Sequence, residues 1–113
     1  DDVARLSRCF QVLIRAQRPA GAQLPVSAVA LGDWAMVGFP GEPFVEIGRA
    51  VKAASPFPLT LPTGLTNGSE DYFPTAEAYA QGGYEAANSP YVPGVAEALI
   101  AEANALLKDL AGQ

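Results

Sequence analysis

The sequence predicts a mixed α/β architecture, and three observations carry that prediction. Apolar residues recur at helical spacing over about 3–17, 44–54 and 95–111. Two apolar runs, 26–31 and 34–39, flank Gly32-Asp33, the pattern of a tight hairpin. A further strand-like segment, with Leu59, Leu61 and Leu65 in alternation, follows the second helix. Three short strands make a marginal sheet on their own, so residues 1–113 read as a partial domain, a few short strands flanked by helices.

Taken in order, the first helix has a stripe of Val3, Leu6, Phe10, Leu13 and Ile14, with Cys9 among them as a small buried hydrophobe. Arg5, Arg8, Arg15 and Arg18 form its solvated face. Pro19, Gly21 and Pro25 punctuate the connection to the hairpin. The second hairpin segment, WAMVGF, is apolar on both faces, as a buried central strand would be.

Pro43 suits the first position of the next helix, where its missing N–H costs nothing. Phe44, Ile47, Val51 and Ala54 line the core face of that helix, and Ser55-Pro56 ends it. Gly48 inside it either costs about 1 kcal/mol relative to alanine or permits close packing. Pro58 and Pro62 lack donors, which makes the third strand an edge strand or an irregular one.

The stretch NGSEDYFPTAEAYAQGGYE, residues 67–85, begins with an Asn67-Gly68 turn that Asp71 can reinforce. Thr75 caps a short helix reaching Gln81, stopped by Gly82-Gly83. Val95, Leu99, Ala103, Leu106 and Leu110, joined by Ile100 and Leu107, mark the closing helix.

Composition narrows the function. Half the residues are apolar and 17% are charged, which excludes a disordered tail, and no apolar run approaches the roughly 20 residues of a spanning helix. A net charge of −5 disfavours nucleic acid as a partner. Asp1-Asp2 does not open a signal peptide, and a mature protein that had lost its leader would read the same way, which leaves the compartment open. Cys9 is the lone cysteine, so no internal disulfide or cysteine metal knuckle forms. The sequence has no histidine; neither a Ser-His-Asp relay nor a complete histidine zinc site can be assembled from these residues alone.

A few residues have two readings. Glu42, in the turn between a strand and a helix start, either complements the helix dipole or holds a metal or proton at a strand terminus. Glu46 and Arg49 read as an ordinary surface pair. Tyr79 shares a helix face with Ala76 and Ala80 and reads as packing. Tyr72 and Tyr84 lie off that face: either each is a half-buried tyrosine with an ordinary hydrogen bond, or both hydroxyls converge on one cavity.

The run DWAMVGFPGEPFVEIGRAV resembles a segment of the neutral/alkaline non-lysosomal ceramidases and their bacterial relatives, where a strand enters a Pro-Gly-Glu turn and then a helix. Residues 67–85 are similar to a second motif of that family, with Asn67, Tyr72, Thr75, Glu77, Tyr79, Tyr84 and Glu85 in register. The resemblance spans about residues 26–110 and implies the C-terminal part of a zinc-dependent amide hydrolase domain, acting on the N-acyl linkage of ceramide or a related lipid amide. It implies Glu42 and Tyr72 as zinc ligands and Tyr84 as a catalytic residue near the substrate amide, with zinc activating water and polarising the carbonyl. The family's two histidine ligands, and the arginine and histidine associated with its reaction, belong to earlier parts of the domain, and only 30 positions separate Glu42 from Tyr72 here.

The expectation is therefore half of a zinc site, inactive in isolation, whose principal partner is the N-terminal part of the same catalytic domain. A secreted or periplasmic location follows if the protein is like the family. One alternative is a non-enzymatic interaction module or homodimer that keeps this fold and uses its uncovered apolar surface. Another is a metal-independent enzyme with Glu42 and Glu46 as an acid/base pair.

Overall fold

A computed structural model describes residues 2–17, 21 and 23–113, leaving the side chains of residues 4, 7, 8, 11, 14, 15 and 17 aside. Helix α1 (Asp2–Gln17) is followed by strands β1 (Ser27–Leu31), β2 (Trp34–Gly38) and β3 (Glu42–Pro43). Helix α2 (Val45–Ala54), strands β4 (Leu59–Thr63) and β5 (Tyr72–Phe73), and helices α3 (Ala76–Gln81), α4 (Tyr84–Asn88) and α5 (Val95–Ala111) complete the chain. The architecture is mixed α/β, as the periodicities predict.

The β1–β2 hairpin turns through Gly32-Asp33, pairing Leu31 with Trp34, and Gly32 adopts a φ of +59° that suits glycine. After β2 the chain crosses through α2 and returns as β4, parallel to β2, giving the sheet order β1-β2-β4. β4 is an edge strand, so Pro62 opposite Val37 leaves no inner ladder short of a donor. A separate pair, β3 and β5, runs parallel beside it.

Helices α2 and α5 pack against each other and against β4 and β1 respectively. Ala35 and Val37 of β2, Phe39, Ile47 and Val51 of α2, Phe73 of β5, and Ala96, Leu99, Ala103 and Leu107 of α5 form the core. On α5 the buried stripe runs through Leu107, while Leu106 and Leu110 are half-buried. Ala54, expected on the core face of α2, is exposed.

Three expectations are corrected. Strand β2 is central but not buried on both faces: Trp34 and Met36, with their neighbours Val29, Leu31 and Leu59, form an exposed apolar face, because both packed helices occupy the other side. Cys9 is exposed, as are Val3, Leu6, Phe10 and Leu13, and none of these five described side chains belongs to the core. Pro43 does not open α2; it pairs with Phe73 in β3, and Phe44 caps the helix from an extended conformation. Arg5 is exposed as expected, whereas the side chains of Arg8, Ile14 and Arg15, and all of Arg18, lie outside what is described.

Candidate metal and substrate site

The site begins at the end of β2, where Pro40, Gly41 and Glu42 turn the chain toward α2. The loop after β4 wraps this turn with backbone bonds: Thr66 N–H to Phe39 carbonyl at 2.8 Å, Leu65 N–H to Gly41 carbonyl at 2.8 Å, and Glu70 N–H to Pro40 carbonyl at 2.8 Å. Glu42 N–H then donates to the Asp71 carbonyl at 2.8 Å. Backbone lies on backbone here. A Cβ at Gly41 would stand 2.4 Å from the Asp71 carbonyl oxygen, and one at Gly68 would stand 2.9 Å from Pro40. Each glycine, Gly41 of Pro-Gly-Glu and Gly68 of Asn-Gly, lets the facing segment approach closer than a side chain would allow, a reason for both that goes beyond turn formation.

The wrapping loop carries backbone strain. Leu65, Asn67 and Asp71 have φ values of 51°, 58° and 64°. Asparagine and aspartate tolerate that region, but leucine does so only where surrounding structure enforces it. The consequence is positional: Glu42 and Tyr72, far apart in sequence, become register partners in the parallel β3–β5 pair.

Glu42, Tyr72, Glu85, Glu46 and Phe44 line one open cavity of about 410 Å³. Tyr84, at the start of α4, sets its ring edge-on to Tyr72, with centroids 6.2 Å apart and planes at 74°. Tyr84 itself is 67% exposed and does not line the cavity; it reaches the site through its ring contact with Tyr72. The Glu42 carboxylate foremost, then burial, Tyr84, Glu85 and Asp71, hold the Tyr72 hydroxyl above the ordinary phenol value of 10.0. The negative charge of Glu42, Glu85 and Asp71 thus opposes ionisation of this hydroxyl.

Behind the site, Tyr79 and Ser89 fix its backbone. The Ser89 side chain is buried, and its hydroxyl lies 3.0 Å from the Tyr72 carbonyl and 2.8 Å from the Tyr79 hydroxyl. The Tyr79 hydroxyl also reaches the Tyr91 carbonyl at 2.9 Å, and Tyr91 N–H donates to Ser89 Oγ at 3.2 Å. Tyr79 is therefore a structural residue, as its helical face predicts. Thr75 caps α3, accepting from Ala78 N–H at 3.1 Å, and Glu77 accepts from the Gln81 side chain on the surface at 2.8 Å.

The structure brings Glu42, Tyr72 and Tyr84 together. It separates Glu46 from Arg49: Glu46 lines the cavity beside Tyr72, and Arg49 lines a groove on the other side of the Glu42 segment. The surface pair expected from their spacing does not form among the described residues. Two contributors went unassigned in the sequence. Glu85 joins the cavity; it stands in register with the second motif but had no role assigned, and Ser89 has no sequence signal beyond a small hydroxyl before a proline.

Among the described residues no group of three or more His, Cys, Asp or Glu side chains could hold a metal ion; the cavity itself presents the Glu42 carboxylate and the Tyr72 phenol. No described helix is long and apolar enough to cross a membrane. No protein-family model, curated protein or solved structure matches the chain.

Proposed function

We propose that this chain is the C-terminal part of a zinc-dependent amide hydrolase domain of the neutral ceramidase type, contributing Glu42 and Tyr72 to a metal site completed by histidines outside it. One observation carries the reading. The two residues that the resemblance assigns to the metal stand as direct partners across β3 and β5, with their side chains on one cavity.

The residues present fit such a site in part. Glu42 supplies a charged oxygen donor, and the field that resists ionisation of Tyr72 without a cation comes first from Glu42 itself. Two oxygen donors do not satisfy the nitrogen-rich, four-ligand preference of zinc, so the isolated chain holds it weakly and does not hydrolyse amides. When bound, zinc would polarise the amide carbonyl and lower the pKa of water at neutral pH.

The chain's own residues orient the substrate around that chemistry. Phe44 and Val45 give the cavity an apolar wall for an acyl segment. Tyr84, exposed and braced edge-on against Tyr72, offers its hydroxyl as a hydrogen-bond donor to the amide. Ser89 and Tyr79 hold the Tyr72 backbone in place.

The substrate class is an N-acyl lipid amide, ceramide or a relative, and a secreted or periplasmic location accompanies the resemblance. The exposed apolar face of β1, β2 and β4 is the surface that the rest of the domain would cover. The same face favours a second reading, an interaction module that pairs with another copy of itself.

The test uses the full-length protein that contains this chain. Zinc content and N-acyl hydrolysis both fall sharply in Glu42→Ala and Tyr72→Phe. Full activity in both variants refutes the metal assignment, and activity that survives chelation but not Glu42→Ala points to the Glu42 and Glu46 acid/base pair instead.

A further inference from the structure

Beyond residue 18 the chain has only three basic side chains, Arg49, Lys52 and Lys108, against ten acidic ones. Two of those three line one groove. Arg49 and Lys52, three residues apart on the exposed side of α2, border a depression of about 620 Å³ whose apolar wall includes Phe44, Pro62 and Leu65. Glu42, Pro43, Phe44 and Val45 border both this groove and the cavity beside Tyr72, so the two spaces meet at Glu42.

Two features suit the groove to a ligand. Neither cation has an ion-pair partner among the described residues, although acidic side chains outnumber basic ones in this part of the chain. Gly48 lies in the groove wall within α2, and a Cβ there would meet nothing nearer than Pro62 at 3.7 Å. Close packing does not demand glycine at this position; its effect is to leave the groove open.

We propose that this groove binds the anionic end of an amide substrate, with methylenes along Phe44, Pro62 and Leu65 and a carboxylate or phosphate between Arg49 and Lys52. Helical rise puts these two residues about 6 and 10 Å along the axis from Val45, so the anion lies several bonds from an amide held near Glu42. The amide rests on the hydrolase reading given above, whereas the anion site rests on the groove itself. Within the substrate class proposed above it selects charged relatives over uncharged amides such as ceramide itself.

The test measures binding to the chain with metal chelated, so that its outcome is independent of zinc. The probes are N-hexyl adipamic acid, its uncharged methyl ester, and N-hexanoyl phosphoethanolamine, titrated by calorimetry with shift mapping by NMR. At low ionic strength at least one anionic probe binds roughly fivefold more tightly than the ester, the advantage expected of two exposed ion pairs. About 1 M salt removes that advantage. So does the double variant Arg49→Gln, Lys52→Gln, while Gly48→Leu weakens all three probes without lowering thermal stability.

Stronger binding of the adipamic acid puts the anion on the acyl side, and stronger binding of the phosphoethanolamine puts it on the amine side; both support the site. Equal binding of both anions and the ester overturns the proposal, as does an advantage that persists in the double variant. Zinc retention by the full-length protein is unaffected by these substitutions, so failure here leaves the metal assignment standing.

Discussion

Gly41→Ala probes how the site is assembled. The added Cβ would stand 2.4 Å from the Asp71 carbonyl oxygen and 2.8 Å from the Phe73 ring. Relief requires the carbonyl to retreat by about 1 Å. That carbonyl accepts the Glu42 N–H at 2.8 Å, and such a retreat carries it out of hydrogen-bonding range. The lost bond costs about 1 kcal/mol, and displacing the fully buried Phe73 adds about 1–3 kcal/mol. At about 4 °C per kcal/mol for a chain of this size, the melting temperature falls by roughly 8–16 °C. Thermal and urea unfolding followed by circular dichroism measure this, with Gly48→Ala as the control. Gly48 has room for a Cβ within a helix, so that variant is neutral or more stable by about 0.5–1 kcal/mol. A Gly41→Ala melting temperature within about 1 °C of the parent would refute the backbone-on-backbone account.

Ser89→Ala leaves the Tyr72 carbonyl and the Tyr79 hydroxyl short of a buried partner and destabilises the chain by about 1–3 kcal/mol in urea unfolding. Because the folded state holds the Tyr72 proton above the ordinary value of 10.0, this group has no effect on stability below that pH. Stability is then lost as pH rises through the folded-state value; Glu42→Gln lessens that alkaline loss, and identical profiles would contradict the shift. The open apolar sheet face predicts concentration-dependent self-association of the isolated chain by light scattering, reduced in Leu31→Glu with little change in unfolding.

The sequence made α1, α2 and α5 legible because each has a periodic face, and the β1–β2 hairpin legible because Gly32-Asp33 separates two apolar runs. Which faces would be covered was not legible. Periodicity shows that Phe10 and Met36 belong to apolar surfaces, but it cannot say that α2 and α5 occupy one side of the sheet and leave the other open. Strands β3 and β5 escaped notice because two residues carry no alternation, and Pro43 resembled a helix start. Helix α4 followed a glycine pair that reads as a stop. Tyr79 separated from Tyr72 and Tyr84 on helical period alone, whereas the pairing of Glu42 with Tyr72 depends on a long-range register that local pattern cannot specify. Glu85 and Ser89 take their roles from that register too.

The most direct measurement is a Zn²⁺ titration of this chain followed by NMR at the Glu42 carboxylate and Tyr72 ring. The account predicts weak binding in which those two groups shift together, with the shifts lost in Glu42→Gln and in Tyr72→Phe. Shifts confined to surface carboxylates such as Glu77 and Glu97, with Glu42 and Tyr72 unmoved, would contradict it.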